Sequence, residues 1–138
     1  MSLFVDTSVW YAAADRGDRN NARAKAALEE EEEDLVTSDH VLVEVWALLH
    51  HRLGADAAER FWQGLRKGAA ALECVVPEDV EAAWRIGEAW PDQDFSLVDR
   101  TCFAIMQRLG IDRVATLDRD FAIFRFGPKK RRSFTIVR

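Results

Sequence analysis

The chain has 138 residues, of which 49% are apolar and 31% are charged. These proportions are typical of a globular fold with a sizeable core, and they exclude extended disorder. The length corresponds to about one domain, so we expect a single domain over residues 1–138. The formal net charge of −5 argues against a general polyanion binder. Any contact with nucleic acid would therefore have to come from a local basic patch or from a bound metal.

The cysteines and the apolar runs indicate the compartment. Cys74 and Cys102 are far apart and lie in different patterns, so neither a disulfide framework nor a zinc site is expected. No stretch approaches 18 uninterrupted apolar residues, so no membrane span is expected. The first six residues lack the basic region of a signal peptide. These features together predict a cytoplasmic protein with no membrane partner.

Short apolar runs alternate with helical segments in the first half of the chain. In order, the pattern predicts a strand at 3–5, helices at 8–14 and 20–33, a strand at 35–37, and helices at 40–53 and 55–66. The acids of 29–34 are unfavourable near a helix C-terminus, so we expect the second helix to fray into a solvated loop there. Thr37, Ser38 and Asp39 are available to cap the third helix, and Gly54 ends it.

The second half continues the alternation. It predicts a strand at 72–76, a helix from 77 to about 90, a helix at 96–109, and strands at 114–116 and 134–137. Pro77 suits the first turn of a helix, and Glu78 and Asp79 lie near the positive end of its dipole. Strands that alternate with helices or helix pairs predict an α/β fold, with a mostly parallel sheet and helices on both faces.

Four acidic residues each lie beside a short apolar run. Asp6 and Asp118 follow predicted strands, whereas Glu44 and Asp99 lie in the first turns of predicted helices. Lone carboxylates beside apolar runs are costly to bury unless they are paired or bound to a cation, so the four indicate one shared site. Ligands of such sheets bind outside the carboxyl ends of the strands, where Asp6 and Asp118 fall. A cluster of oxygen ligands suits Mg²⁺ or Mn²⁺.

The first two acids also have structural interpretations. Asp6, Thr7 and Ser8 are all good helix caps, so they could form a plain strand-to-helix turn. In the functional interpretation, Thr7 and Ser8 orient the Asp6 carboxylate or hold a metal-bound water. Glu44 lies next to the apolar stripe of its helix, so it could reach out to water or point into a pocket.

The last two acids have structural interpretations as well. Ser96 and Asp99 fit a capping box, in which an acid at the third helical position bonds back to the cap. Asp118 and Asp120 flank Arg119 in a segment that also suits a turn. Asp118 is nearer the strand end and is preferred as the site residue, with Asp120 as the alternative. Two further acids add negative charge just before the helix that carries Asp99, namely Asp92 and Asp94.

The most basic segment is Lys129-Lys130-Arg131-Arg132. Such a run is usually a solvated surface loop. In a chain of net charge −5, it is also the best candidate for contacting phosphate groups.

Two other α/β functions lack their motifs. A phospho-receiver domain needs a phospho-accepting Asp at the end of its middle strand, but the predicted strand at 72–76 leads into Pro77. A dinucleotide-binding enzyme needs a Gly-x-Gly-x-x-Gly turn after the first strand, and none is present.

Four acid-bearing motifs follow one another along nearly the whole chain. They are Phe4-Val5-Asp6-Thr7-Ser8, Thr37-Ser38 with Val43-Glu44, Asp94-Phe95-Ser96-Leu97-Val98-Asp99, and Ala115-Thr116-Leu117-Asp118-Arg119-Asp120-Phe121. In this order the chain resembles the PIN-domain ribonucleases, in particular the small toxins of VapBC-type toxin–antitoxin systems. Asp6, Glu44 and Asp99 match the three principal acids of that family. The fourth acid varies in the family and corresponds to Asp118 or Asp120.

The resemblance implies a three-layer α/β/α sandwich with a mostly parallel central sheet. It also implies Mg²⁺- or Mn²⁺-dependent cleavage of RNA, a small cognate antitoxin as partner, and a homodimer. The alternative is an inactive RNA- or protein-binding module on the same scaffold, and the intact set of acids argues against it.

The roles of the site residues follow from this interpretation. We expect Asp6 and Asp99 to hold the metal directly, and Glu44 and Asp118 to complete its shell or to orient the attacking water. Asp120 is a secondary ligand candidate. Supporting roles fall to three hydroxyl residues, namely Thr7, Ser8 and Ser96. The sequence leaves open whether one metal or two are bound.

Overall fold

A five-stranded sheet forms the centre of the computed structural model, which describes residues 1–30 and 33–138. Its strands are β1 (Ser2–Val5), β2 (Asp34–Ser38), β3 (Ala71–Glu73), β4 (Arg113–Ala115) and β5 (Thr135–Val137). They are arranged in the order β3-β2-β1-β4-β5, and each neighbouring pair is parallel. The predicted α/β class with a parallel sheet is confirmed.

Seven α-helices are found among the described residues. They are α1 (Thr7–Ala14), α2 (Asn21–Leu28), α3 (Asp39–Leu53), α4 (Ala55–Arg66), α5 (Pro77–Ala89), α6 (Leu97–Leu109) and α7 (Asp120–Ile123). The first four helices pack in a chain of contacts, α2 on α1, α1 on α3 and α3 on α4, while α5 packs on α6. With the sheet between them, the helices complete the expected three-layer α/β/α arrangement. None of the described helices is both long and apolar enough to cross a membrane.

The strand order creates a crevice between β1 and β4. From β1 the chain proceeds outward to β2 and β3, then returns to place β4 on the other side of β1. Ligands of parallel sheets bind at such a reversal, outside the carboxyl ends of the strands. The backbone N–H of Asp6 donates to the carbonyl of Ala115 at 3.1 Å, which ties the exits of the two strands together.

The predicted caps position the helices that enter the crevice. The Ser38 hydroxyl accepts from the backbone N–H of Val41 at 3.1 Å and begins α3. The Ser96 hydroxyl accepts from the backbone N–H of Asp99 at 3.0 Å and begins α6. Caps of this kind stabilise a helix by about 1 kcal/mol each. Gly110 ends α6 in the left-handed conformation, with φ of 70°.

The core lies between the sheet and the apolar faces of α3 and α6. Phe103, Ile105 and Met106 of α6 are fully buried, as are Val45 and Leu49 of α3. The packing fixes α6, the helix that carries Asp99, against the sheet. Cys74 is exposed, Cys102 is buried in α6, and both are free thiols.

Some element boundaries differ from those predicted. The helix predicted at 20–33 ends at Leu28, and Asp34 already belongs to β2. Within that predicted helix and its acidic end, Glu31 and Glu32 lie outside the described residues. Strand β3 is shorter than the predicted 72–76, because the backbone N–H of Val75 donates to the Asp39 carboxylate at 3.0 Å instead of to a strand.

Two short elements were not predicted. Helix α7 has four residues, and a 3₁₀ turn covers Pro128–Lys130. Neither is long enough for a 3.6-residue apolar period to become visible in the sequence.

Candidate active site

A cleft of about 530 Å³ opens at the carboxyl ends of β1 and β4. Its lining contains seven carboxylate side chains, those of Asp6, Asp18, Glu44, Asp94, Asp99, Asp118 and Asp120. Arg52 is the only cationic side chain among the described residues that line it. A concave surface with this imbalance concentrates cations by its field.

All eight residues that the sequence singled out line this cleft. They come from four separate parts of the chain, and they are Asp6, Thr7, Ser8, Glu44, Ser96, Asp99, Asp118 and Asp120. The segments after β1 and β4 meet the first turn of α6 there, and α3 supplies Glu44. The fold therefore brings residues that are far apart in sequence to one cleft, and their roles stay a prediction.

Three of the acids are especially close together. Asp99, Asp118 and Asp120 each offer a carboxylate oxygen, and these atoms all lie within 4.8 Å of one another. The structure thus places Asp118 and Asp120 side by side, although the sequence left them as alternatives. Asp6 and Glu44 line the same cleft outside this acidic trio.

Two hydroxyl groups hold the Asp6 carboxylate. Asp6 is only 2% exposed, and its Oδ2 accepts hydrogen bonds from Ser8 Oγ and Thr116 Oγ1, each at 2.8 Å. The same two hydroxyl oxygens accept from the backbone N–H groups of Leu117 and Asp118, each at 2.9 Å. The turn that carries Asp118 is therefore bonded to Asp6 through two side chains.

Thr116 is a site residue that the sequence analysis did not single out. Its hydroxyl donates to Asp6 from the position directly after β4, as the Ser8 hydroxyl does from α1. A signal was present in the spacing, because Ser8 lies two residues after Asp6 and Thr116 lies two residues before Asp118. Both positions place a small hydroxyl next to an acid at a strand end.

Burial and neighbouring negative charges raise the pKa of three acids in the cleft. Burial raises the pKa of Asp99 to about 8, and the charges of Asp6, Asp118 and Asp120 add to this effect. Burial raises the pKa of Asp6 to about 6, although the hydrogen bonds from the Ser8 and Thr116 hydroxyls oppose the shift. The pKa of Asp120 is also raised, first by burial and then by the charge of Asp118. At neutral pH the cluster therefore favours bound protons or a bound cation.

The residues fit a divalent metal ion. The ligands offered are carboxylate oxygens, which suit Mg²⁺ and Mn²⁺. Adjacent oxygens around one octahedral Mg²⁺ are about 3 Å apart, so the three carboxylate oxygens, now within 4.8 Å of one another, would move closer together to bind one ion. The Thr7 hydroxyl is buried at the cleft and has no hydrogen-bond partner among the described residues. A water molecule on a metal ion would satisfy it.

Arg52 and Tyr11 form a wall of the cleft that the sequence analysis also missed. The Arg52 guanidinium carbon lies 5.1 Å from the centre of the Tyr11 ring, and the Tyr11 hydroxyl donates to Asp15 at 2.8 Å. Glu44, Leu48 and Arg52 follow at four-residue intervals on one face of α3, and all three line the cleft. The helical spacing from Glu44 was the signal for Arg52.

Comparison with known proteins agrees with this geometry. The family model of the PIN domain matches residues 3–127, which include all eight predicted site residues. The chain is 34% identical over 120 residues to the 23S rRNA-specific endonuclease VapC20 of Mycobacterium tuberculosis, covering 87% of this chain and 92% of that protein. It is 27% identical over 117 residues to the ribonuclease VapC26 of the same organism, covering 85% and 87%.

A solved structure shows the same fold. The crystal structure of Mycobacterium tuberculosis VapC20, a sarcin–ricin loop cleaving toxin, matches with a TM-score of 0.82 at 34% identity, over 88% of this chain and 93% of that chain. The family match, the sequence identity and the fold lead to one conclusion. The chain belongs to the PIN-domain family, as a ribonuclease of the VapC type.

Proposed function

We propose that the protein is a metal-dependent endoribonuclease toxin that cleaves phosphodiester bonds of 23S ribosomal RNA. The observation that carries the proposal is the group of carboxylates gathered in one cleft, of which Asp6 and Asp99 are buried and have raised pKa values. Burying such a group has a large cost that a divalent cation offsets. The choice of 23S ribosomal RNA is supported by the 34% identity to VapC20, which is named for that substrate.

Each site residue has a separate proposed role in the reaction. When bound, Mg²⁺ or Mn²⁺ supplies positive charge beside the scissile phosphate and acidifies water. Asp6 and Asp99 would hold the ion, and the hydroxyls of Ser8 and Thr116 keep the Asp6 carboxylate in one orientation. The carboxylates of Glu44 and Asp118 would complete the ligand shell or accept a hydrogen bond from the attacking water. Asp120 adds a further oxygen to the acidic trio.

The proposal is tested by incubating ribosomes and total RNA with the purified protein and Mg²⁺ or Mn²⁺. We expect cleavage of 23S ribosomal RNA that stops when EDTA removes the metal, and mapping of the new ends identifies the cut. Folded protein that binds metal but cuts no RNA in either preparation would contradict the proposal. That result would favour a binding module on the same scaffold.

Arg52 is expected to bind a phosphate group of the RNA opposite the acids. A hydrogen bond to a charged group contributes about 1.5–3 kcal/mol, so we expect Arg52→Ala to raise KM by about 10-fold and to change kcat much less. Arg52→Lys should recover part of the loss, since it keeps the charge. The measurement is the steady-state rate against RNA concentration.

Arg23→Ala is the matched control for Arg52, because Arg23 is an exposed arginine on α2 that does not line the cleft. It should leave KM unchanged. A fall in kcat with constant KM in Arg52→Ala would place Arg52 in the chemical step and overturn the phosphate-binding role.

The partners belong to the same proposal. The toxin acts in the cytoplasm as a homodimer, and a small cognate antitoxin holds it inactive. Exposed apolar side chains support a protein interface, because Val80 and Trp84 lie one turn apart on α5 and Trp84 is 67% exposed. Sedimentation of the purified chain at micromolar concentration measures the dimer. A monomer throughout the concentration range would rule it out.

A further inference from the structure

A second groove, of about 350 Å³, is lined by residues of α5, by Gln107 near the end of α6 and by the segment after α7, and it has a different character. Basic and aromatic side chains line it, among them Arg85, Trp90, Arg125, Phe126 and Lys130. We call it the basic groove. No carboxylate is found among the described residues that line it, whereas seven line the active-site cleft.

Two segments connect the basic groove to the active site. The centres of the Trp90 and Phe95 rings are 5.8 Å apart, and Phe95 directly precedes Ser96 of the active-site cleft. Helix α7 begins at Asp120 of the acidic trio and leads to Phe124 of the basic groove. A helical rise of 1.5 Å per residue makes this distance about 6 Å, and Gln107 of the groove lies eight residues, or about 12 Å, along α6 from Asp99. Stacked nucleotides are about 3.4 Å apart along one strand, so these distances correspond to about two to four nucleotides.

The cations of this region form no ion pairs with carboxylates among the described residues. The exposed run Lys129–Arg132, which we call the rim, contributes Lys130 to the lining of the basic groove, and Arg85 and Arg125 lie in that lining too. Within the described part of the chain, none of these six side chains has a carboxylate at ion-pair distance, whereas Arg108 pairs with Asp79 and Arg113 pairs with Glu33. In a chain of net charge −5, the region is a concentrated site of positive charge.

The protein holds these cations in place. The Lys130 ammonium lies 5.2 Å from the centre of the Trp90 ring, and the Arg132 guanidinium lies 5.1 Å from that of Phe126. Arg125 donates to the carbonyls of Ile123 and Phe124 at the end of α7, at 3.2 and 3.0 Å. Attraction to an aromatic face fixes a cation without cancelling its charge. The groove therefore presents charges that are already positioned for an anion.

The loop that carries the rim also has an unusual backbone conformation. Phe126 and Arg132 exchange two backbone hydrogen bonds of 3.0 Å, which close the loop between them. Inside the loop, Lys129 and Lys130 both have a positive backbone angle φ, of 58° and 52°. Residues other than glycine rarely adopt such angles. Residues Lys129–Arg132 lie past residue 127, where the family match ends.

We infer that the basic groove binds backbone phosphates of the RNA on one side of the scissile bond, about two to four nucleotides from the acidic trio. The inference rests on the proposed function. Lys129 and Lys130 at the rim contact the phosphates of the flanking nucleotides, and Arg125 lies deeper in the groove. The acids of the active-site cleft then act on the bond, while the affinity for RNA comes from the basic groove.

The test uses the double variant Lys129→Asn/Lys130→Asn. Asparagine tolerates positive φ, so the variant removes two charges while keeping the loop conformation. The matched control is Lys25→Asn/Lys67→Asn, which changes the only other lysines of the chain, both exposed and outside the basic groove. Both pairs are introduced into wild-type protein and into Asp99→Asn.

Two measurements decide the inference. Binding of a fluorescent RNA of about 12 nucleotides to the Asp99→Asn background should weaken by about 10-fold in the rim variant only. The slope of log affinity against log salt should fall by about 1.4, since each lost phosphate contact on a single strand contributes about 0.7. In the active background, the rim variant should raise KM for the long RNA and cut a trinucleotide at the wild-type rate.

Other outcomes overturn the inference in distinguishable ways. An unchanged affinity and salt slope in the rim variant, with cleavage intact in wild-type protein, would remove the basic groove from RNA binding and leave the proposed function standing. An equal loss on the trinucleotide would show that the lysines act at the scissile bond itself. Loss of antitoxin binding with unchanged RNA binding would make the groove a protein site. Wild-type protein that neither binds nor cuts RNA would instead refute the proposed function.

Discussion

We expect Asp99→Asn to reduce RNA cleavage by at least about 100-fold. Loss of a residue that only supports a metal ligand already costs 10–100-fold, and Asp99 is proposed as a direct ligand. It is 7% exposed, and it contributes one of the three carboxylate oxygens that lie within 4.8 Å of one another. The amide of asparagine offers a weaker, uncharged oxygen to a divalent ion. Initial rates on 23S ribosomal RNA at saturating metal measure the effect.

The same substitution is expected to stabilise the metal-free protein above neutral pH. The pKa of Asp99 rises from its ordinary 3.8 to about 8, because of burial and of its acidic neighbours. Between about pH 4 and pH 8 the folded state therefore binds more protons at this site than the unfolded state does. The stability that Asp99 contributes is complete below about pH 4 and is lost as the pH rises to about 8. Asparagine cannot ionise, so it avoids this loss.

The increase in stability of metal-free Asp99→Asn over wild type should be largest near pH 8. Each unit of pKa corresponds to about 1.4 kcal/mol, and a buried amide retains some desolvation cost, so we expect about 2 kcal/mol at pH 8. For a chain of this length that raises Tm by about 6 °C. At pH 4 the two proteins should melt together. Thermal unfolding in EDTA at both pH values measures the difference.

A matched control separates the site from a general charge effect. Asp112→Asn makes the same chemical change at an exposed acid outside the cleft, and it should alter neither cleavage nor Tm. An Asp99→Asn protein that cuts RNA at the wild-type rate would refute the assignment of Asp99. An Asp99→Asn protein that loses cleavage but has a lower Tm than wild type at pH 8 would mean that the ionised Asp99 carboxylate does not destabilise the folded state.

The location of the site could be predicted because it depends on local signals. Asp6 and Asp118 follow strands, and the carboxyl ends of parallel strands meet at one edge of the sheet. The Ser96 cap fixes the start of α6, and hence places Asp99 in its first turn. A pattern of strand ends and caps therefore specifies which elements converge, even before their packing is known.

Other features depend on contacts between distant segments. The hydrogen bond from Thr116 to Asp6 spans 110 positions, so spacing alone does not reveal it. The choice between Asp118 and Asp120 was left open because both flank the same turn, and only the folded α7 brings both carboxylates to Asp99. Strand β3 ends early because the Asp39 carboxylate accepts a hydrogen bond from the backbone N–H of Val75. Each of these features depends on a contact between residues that are far apart in sequence, so local sequence patterns do not reveal it.

Millimolar Mn²⁺ or Mg²⁺ is expected to stabilise the wild-type protein, and to do so more at pH 8 than at pH 5. A ligand present at 100 times its Kd stabilises the state that binds it by about 2.7 kcal/mol, which corresponds to a Tm increase of about 8 °C here. Metal ions bind the ionised carboxylates, so protons compete with them. Asp6 and Asp99, with pKa values of about 6 and about 8, are largely protonated at pH 5.

The Asp99→Asn and Asp112→Asn variants test whether the metal ion that raises Tm binds in the active-site cleft. The shift should disappear on adding EDTA and should fall to a small fraction in Asp99→Asn, while Asp112→Asn keeps it in full. An equal metal shift in Asp99→Asn would mean that the ion binds elsewhere. A shift that is larger at pH 5 than at pH 8 would exclude these carboxylates as the ligands, because competition with protons can only weaken their binding as the pH falls. Together with cleavage, the melting curves thus separate a metal site that works in catalysis from acids that only repel one another.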